Sequence, residues 1–199
     1  MKLDYYHIKS VFLKKGYAFY DGIKPYNLNI LGVRCDVDTN FFDDLICIAY
    51  RDDQLLETVE IFQATTDAGE YWLLHPSNSQ GTAILCEGQY RSTYKIDKHG
   101  GKYDALCQRT GKVTVYRDGN KDTKHDMNPT NMHSGYYGIN IHRTSPYKDT
   151  AYINKYSAGC QVFRYSNHFD RMMMLLRTSI KEGFKNQFTY TLLNKNDFD

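Results

Sequence analysis

The residues best suited to chemistry lie between Tyr136 and Phe163, in the run YYGINIHRTSPYKDTAYINKYSAGCQVF. The segment Ile139-Asn140-Ile141 reads as a strand that delivers His142 at its edge, facing a loop, and the chain returns as Ser157-Ala158-Gly159-Cys160. Cysteine attacks a carbonyl as its thiolate, and a nearby imidazole is what makes thiolate available at neutral pH. Small residues just ahead of the thiol let the backbone turn tightly and bring main-chain N–H groups close to a carbonyl oxygen, as an oxyanion site requires. The chemistry indicated is covalent acyl transfer, with Cys160 as nucleophile, His142 as base and no metal or other cofactor.

These residues resemble the signature of the L,D-transpeptidase family, also called YkuD-like: a histidine after a G-I-x-H-like strand, a spacer of this length, then S-x-G-C. Gly138, His142, Ser157, Gly159 and Cys160 match it. The resemblance covers residues 136–163 sharply. Upstream it is carried by the expected Asp43–Ala64 hairpin and by Thr65-Thr66-Asp67-Ala68-Gly69. It implies a mainly β catalytic domain, a sandwich or barrel with a short N-terminal helix and one C-terminal helix. It further implies that peptidoglycan stem peptides acylate Cys160 and that His142 is the base. The main-chain N–H groups of Gly159 and Cys160, with Ala158 alongside, would form the oxyanion site, and Ser157, Arg143 and Gly138 would support it.

Three positions depart from the family pattern. Ala158 stands where the family has a second histidine, Gln161 and Val162 replace an aliphatic residue and then Arg or Asn, and Arg143 replaces Gly or Ser. Ala158 and Gln161 are expected to leave the thioester open to water, which favours a carboxypeptidase or endopeptidase over a crosslinking enzyme. The connection from Arg143 to Tyr156, with Tyr147, Lys148, Asp149 and Tyr152, is the expected cover and specificity element.

Competing constellations are less complete. Papain-like cell-wall peptidases place cysteine before histidine, and here only His168 follows Cys160, eight residues on. His142 and Asp149 have the H-x6-D spacing of a zinc peptidase, but only Glu182 follows, with no later histidine. Asp36, Asp38 and Asn40 imitate the start of a calcium loop, yet Phe41 and Cys47 stand where it needs Gly and an acid. A non-catalytic wall-binding or virion module with the same fold is the non-enzyme alternative.

The elements that must position this pair are mostly strands. Ile8, Val11 and Phe12 give a short amphipathic helix over His7–Lys15, ended by Gly16. Strands are expected over Leu28–Val37, Asp43–Ala49 and Leu55–Ala64 (the last two a hairpin), and near Tyr71–Leu74, Ala83–Cys86, Ala105–Arg109 and Lys112–Arg117. Asp118–Met132 reads as a loop, and Tyr136–His142, Gly159–Arg164 and Phe188–Leu193 as strands. Phe169, Met172, Met173, Leu176 and Ile180 recur at helical spacing from an N-cap at Ser166 to about Lys181, with Gly183 as the stop. The Met172-Met173-Met174 run is expected as core filler.

Composition agrees with one catalytic domain over residues 1–199, carrying an N-terminal helical extension (1–25) and a C-terminal helix and strand (166–199). The excess of Tyr, 18 against one Trp, suits half-buried strand surfaces. With 25 basic and 23 acidic residues the chain is too balanced for nucleic acid. No apolar run has the length that spans a bilayer. The five cysteines show no C-x-x-C, and Cys47 and Cys86 sit in apolar stretches as small hydrophobes. The start of the chain lacks a signal peptide's apolar region, so the expectation is cytoplasmic synthesis and action at the cell wall by another route, as for a phage protein. Nothing in the sequence specifies an oligomeric state.

Overall fold

The computed structural model describes residues 1–35 and 40–199. In chain order the elements are α1 (Tyr5–Lys14), β1 (Asn29–Arg34), β2 (Asp44–Arg51), β3 (Glu57–Thr65), α2 (Glu70–Leu74), β4 (Thr82–Leu85), β5 (Gly88–His99), β6 (Tyr103–Gln108), β7 (Val113–Asp118), β8 (Met132–Gly135), β9 (Ile141–Arg143), β10 (Gln161–Phe163), α3 (Ser166–Lys181) and β11 (Phe188–Asn194). Eight strands close into a barrel in the order β1-β11-β5-β6-β9-β10-β3-β2, and β4-β7-β8 form a small second sheet. The protein is mainly β, with a short N-terminal helix and one long C-terminal helix, as the patterning predicts. Asp36, Val37 and Asp38, and with them the imitation calcium loop, lie outside the described residues.

The β2 run Asp44–Arg51 is apolar on both faces because both faces are covered. Ile46, Ile48 and Tyr50 point into the main core, while Cys47 and Ala49 pack under Tyr5, Ile8, Val11 and Phe12 of α1. Alternation along a strand delivers this, since successive side chains face opposite ways. Asp4 caps α1 by accepting the His7 N–H at 2.8 Å. The helix is thus part of the packed body rather than an appended extension. On the other side α3 buries Phe169, Met172, Met173, Leu175 and Leu176 in the main core and leaves Met174 exposed. Each buried side chain of that size contributes about 1.5–3 kcal/mol. Tyr90, Tyr94 and Tyr190 are core residues too, buried rather than half-buried on a strand surface.

Several local expectations are corrected. Tyr71–Leu74 is helical, not extended: the turn starts at Gly69, whose N–H donates to Ser157 O, while the Glu70 N–H donates to Asn40 Oδ1. Ser166 is the first helical residue, and Tyr165 occupies the cap without a side-chain bond. β5, the longest strand, has no clean alternation because its register with β11 shifts between Tyr90 and Tyr94, around the positive-φ residue Ser92. The Asp118–Met132 loop gives way to β8. Of Tyr136–His142 only the end is strand.

Candidate active site

Residues 136–140 are held by a side chain instead of a ladder. Gln108, buried at the end of β6, accepts the N–H groups of Tyr137, Gly138 and Ile139 on one oxygen, at 3.1, 2.9 and 3.2 Å. Its amide nitrogen donates to Gly111 O and Gly135 O. Gly138 turns there with φ +68°, where residues with a side chain are strained. The chain then enters β9, whose parallel partner is β10, with Gln161 opposite Ile141 and Val162 opposite His142.

Cys160 enters β10 through a turn that only glycine can make at position 159. Gly159 has φ +109°, and a Cβ there would overlap Ala83 O. Ser157 ties the turn, its hydroxyl donating to Cys160 O at 2.7 Å and accepting the Gly159 N–H at 3.1 Å. Gly159 is therefore already bonded and does not offer its N–H to a ligand, contrary to the sequence expectation. Among the described residues, the N–H groups of Ala158 and Cys160 have no protein acceptor.

The half-buried thiol lies against the start of β9, accepting from Asn140 N and donating to Gly138 O, each at 3.5 Å. It lines a cleft of about 380 Å³ with Ala158, Gly138, Ile139, Tyr136, Tyr137 and Arg117. Cys160 is level with Asn140, two positions short of His142 along the ladder. A strand spacing of about 4.8 Å and a rise of about 3.3 Å per residue put the two Cα atoms about 8 Å apart. The His142 ring is not among the thiol's bonded partners. It is 6% exposed, stacks on His99 with centroids 4.2 Å apart and bonds through Nδ1 to Arg143 O at 3.0 Å. The side chain of Asn140 joins the group, 3.0 Å from His99 Nδ1.

The electrostatics differ from a preformed ion pair. Burial, with a smaller push from His99, drives the His142 imidazole down to about 3. Burial drives the Cys160 thiol up to about 11, against the opposing bond from Asn140 N–H. The expected lowering of the thiol by His142 is not what the resting site displays: both groups are neutral.

Two further expectations change. Arg143 turns away from the cleft, its guanidinium 4.5 Å from the Tyr103 ring. Gln161 points into the barrel, where its side chain accepts from Tyr190 Oη at 2.8 Å and donates to Thr66 O, so it does not face an acceptor. Beneath it lies a buried ionic group. Arg34, fully enclosed, pairs with Asp67 and Glu87 at 2.8 Å each. Nearby Asp44 takes the N–H groups of Cys35 and Thr66. Burial, then Asp67, raises the Asp44 carboxyl to about 7.

The connection from β9 to β10 does not roof the cleft. Tyr147, Lys148 and Asp149 line a different hollow with Arg164 and Tyr165, and Tyr152 packs tilted against Phe41, with ring centroids 4.9 Å apart. Asp149 pairs with Arg164, away from His142. No group of His, Cys, Asp and Glu among the described residues could hold a metal ion, and no helix among them is long and apolar enough to cross a membrane.

Sequence reading missed Gln108, His99, Asn140 and Arg117. For Arg117 a signal existed: Val113, Val115 and Arg117 alternate onto the buried face of β7, so one charge had to be buried. Comparison of the chain with family models, with curated proteins and with solved structures found no match to any of them.

Proposed function

We propose that this protein is a cysteine acyl-transfer enzyme that forms a thioester on Cys160 with cell-wall stem peptides and releases it to water. The observation that carries the reading is a thiol on the wall of an open cleft, held there by a turn that demands glycine, beside the strand that bears His142. The turn also leaves the N–H groups of Ala158 and Cys160 without protein acceptors, as a developing oxyanion would require.

Since thiol and imidazole rest neutral, the proton leaves sulfur as the carbonyl is attacked, not before. The tetrahedral intermediate collapses with loss of the amine, which takes up the proton, and the acyl group remains on Cys160. Ala158 is exposed on the cleft wall and carries no polar group to hold an amine acceptor, which supports water as the second nucleophile. Transpeptidation shares the first half-reaction and differs only in the second.

Intact-mass analysis after incubation with muropeptides tests the reading. The expected result is an acyl adduct on Cys160 followed by shortened stems, both lost in Cys160→Ala with the fold intact. Digestion of sacculi with a labelled D-amino acid separates the outcomes: label incorporated into stems without hydrolytic product makes the protein a transpeptidase. The raised thiol pKa favours one second reading, a non-catalytic wall-binding module. Sacculus binding without any adduct would establish that reading in place of the first.

A further inference from the structure

We infer that Arg117 is a carboxylate-recognition residue, and that the cleft beside Cys160 is built for the free C-terminal end of a peptide. The inference deepens the acyl-transfer reading and rests on it for the role of Cys160, but the anion site has its own evidence. Arg117 lies on β7 and is 7% exposed, yet no carboxylate pairs with it among the described residues. Its one hydrogen bond runs from Nη1 to Gly81 O at 3.1 Å. Nε is buried with no partner. Nη2 likewise has no protein acceptor. Nη2 is the donor left for an occupant of the cleft, and a guanidinium N–H to a carboxylate is a strong, charge-assisted bond.

The surroundings hold the cation in place: the guanidinium carbon sits 4.6 Å from the centre of the Tyr137 ring, close enough for a cation–π contact. Asp118, the next residue, faces the other way and accepts the Asp126 N–H. Among the described residues, Arg117 is the one charged side chain lining the cleft, so an anion entering it meets a cation and no competing carboxylate from them. Cys160 and Arg117 line the same cleft of about 380 Å³, so a carboxylate held at the guanidinium brings its peptide into the space that the thiol borders.

The test measures binding on Cys160→Ala protein, so that no acylation intervenes, with a stem tetrapeptide as free acid and as C-terminal amide. The acid should bind at least 10-fold more tightly than its amide. That preference should vanish in Arg117→Gln and survive in reduced form in Arg117→Lys, which keeps the charge but not the guanidinium's planar group. Thermal unfolding of each variant controls for folding. Equal binding of acid and amide, absence of binding by either, or a preference that persists in a folded Arg117→Gln protein overturns the assignment. Failure of the enzyme reading looks different. An acid preference that depends on Arg117, with no adduct ever forming on Cys160 in the unmodified chain, leaves the anion site standing and removes the catalysis. Acylation of Cys160 by acid and amide at equal rates does the reverse.

Discussion

Replacing His142 with Asn removes an imidazole whose pKa is driven to about 3 and keeps a side-chain N–H able to reach Arg143 O. The shift is a statement about stability. The unfolded imidazole takes a proton below its ordinary value of 6.5, whereas the folded one stays neutral until about 3. Between those values the unfolded chain binds more protons than the native one, so stability falls as the pH drops. From pH 7 to pH 4.5 the cost is about 2.5 kcal/mol, at 1.36 kcal/mol per pH unit over the two units below 6.5. The ring is 6% exposed, so solvent screening takes little from this figure. Asp44 works in the opposite sense: its carboxyl, raised to about 7, stays protonated in the native state while the unfolded one ionises, so it adds stability as the pH falls. The assay must therefore compare two proteins. Urea unfolding at pH 7 and 4.5 should show the unmodified chain losing about 2.5 kcal/mol more than His142→Asn does. Relief of His99, which burial also pushes down, adds in the same direction. Equal losses in the two proteins would refute the buried His99–His142 stack.

Gln108→Leu should destabilise the protein by about 3 kcal/mol or more, because three main-chain N–H groups lose their acceptor at about 1–3 kcal/mol each when water cannot replace it. Faster hydrogen exchange at residues 137–139 would confirm the site of the loss, and an unchanged urea midpoint would contradict it. Gly159→Ala should cost about 3 kcal/mol or more, combining a positive-φ strain with overlap on Ala83 O. A variant that melts with the parent protein would show that the turn is not as described. In folded protein at pH 7, iodoacetamide should label Cys160 about 100-fold more slowly than in urea, since a thiol near 11 has about a hundredth of the thiolate of one near 9, and the rate should climb about tenfold per pH unit. Peptide mapping reads this directly, and labelling faster than in the unfolded chain would restore a preformed ion pair.

The parts of the fold written in local periodicity were legible. β2 carries a continuous apolar run joined to β3 by its own polar turn, and α3 its own apolar stripe, so none of them needed knowledge of a distant partner. The failures trace to partners far away in sequence. Tyr71–Leu74 has the composition of a strand, but Ser157 and Asn40 bond Gly69 and Glu70 into a helical turn. Residues 136–140 continue the apolar pattern of β9, yet Gln108 collects their N–H groups and bends them out of the ladder. The same holds for the site. The turn around Cys160 could be read from Ser157 and Gly159, whereas the charge state of His142 depends on its burial and then on His99, at the end of a strand whose shifted register hid it.

The order of strands in the barrel constrains how the chain can be made. β11, the last strand, lies between β1 and β5, and it pairs with β1 in parallel across almost the whole sequence. During synthesis the first strand must therefore wait, its edge unpaired, until residues 188–194 have left the ribosome. Such long-range closure is slow, and an open edge meanwhile invites contact with other chains. α1 can cover the outer face of β1 and β2 early in this interval, because its partners there are close in sequence. Protease probing of nascent chains stalled at successive lengths should find α1, β1 and β2 sheltered first. Protection of the barrel as a whole should arrive in one step with β11, and gradual protection as the middle strands emerge would refute this order.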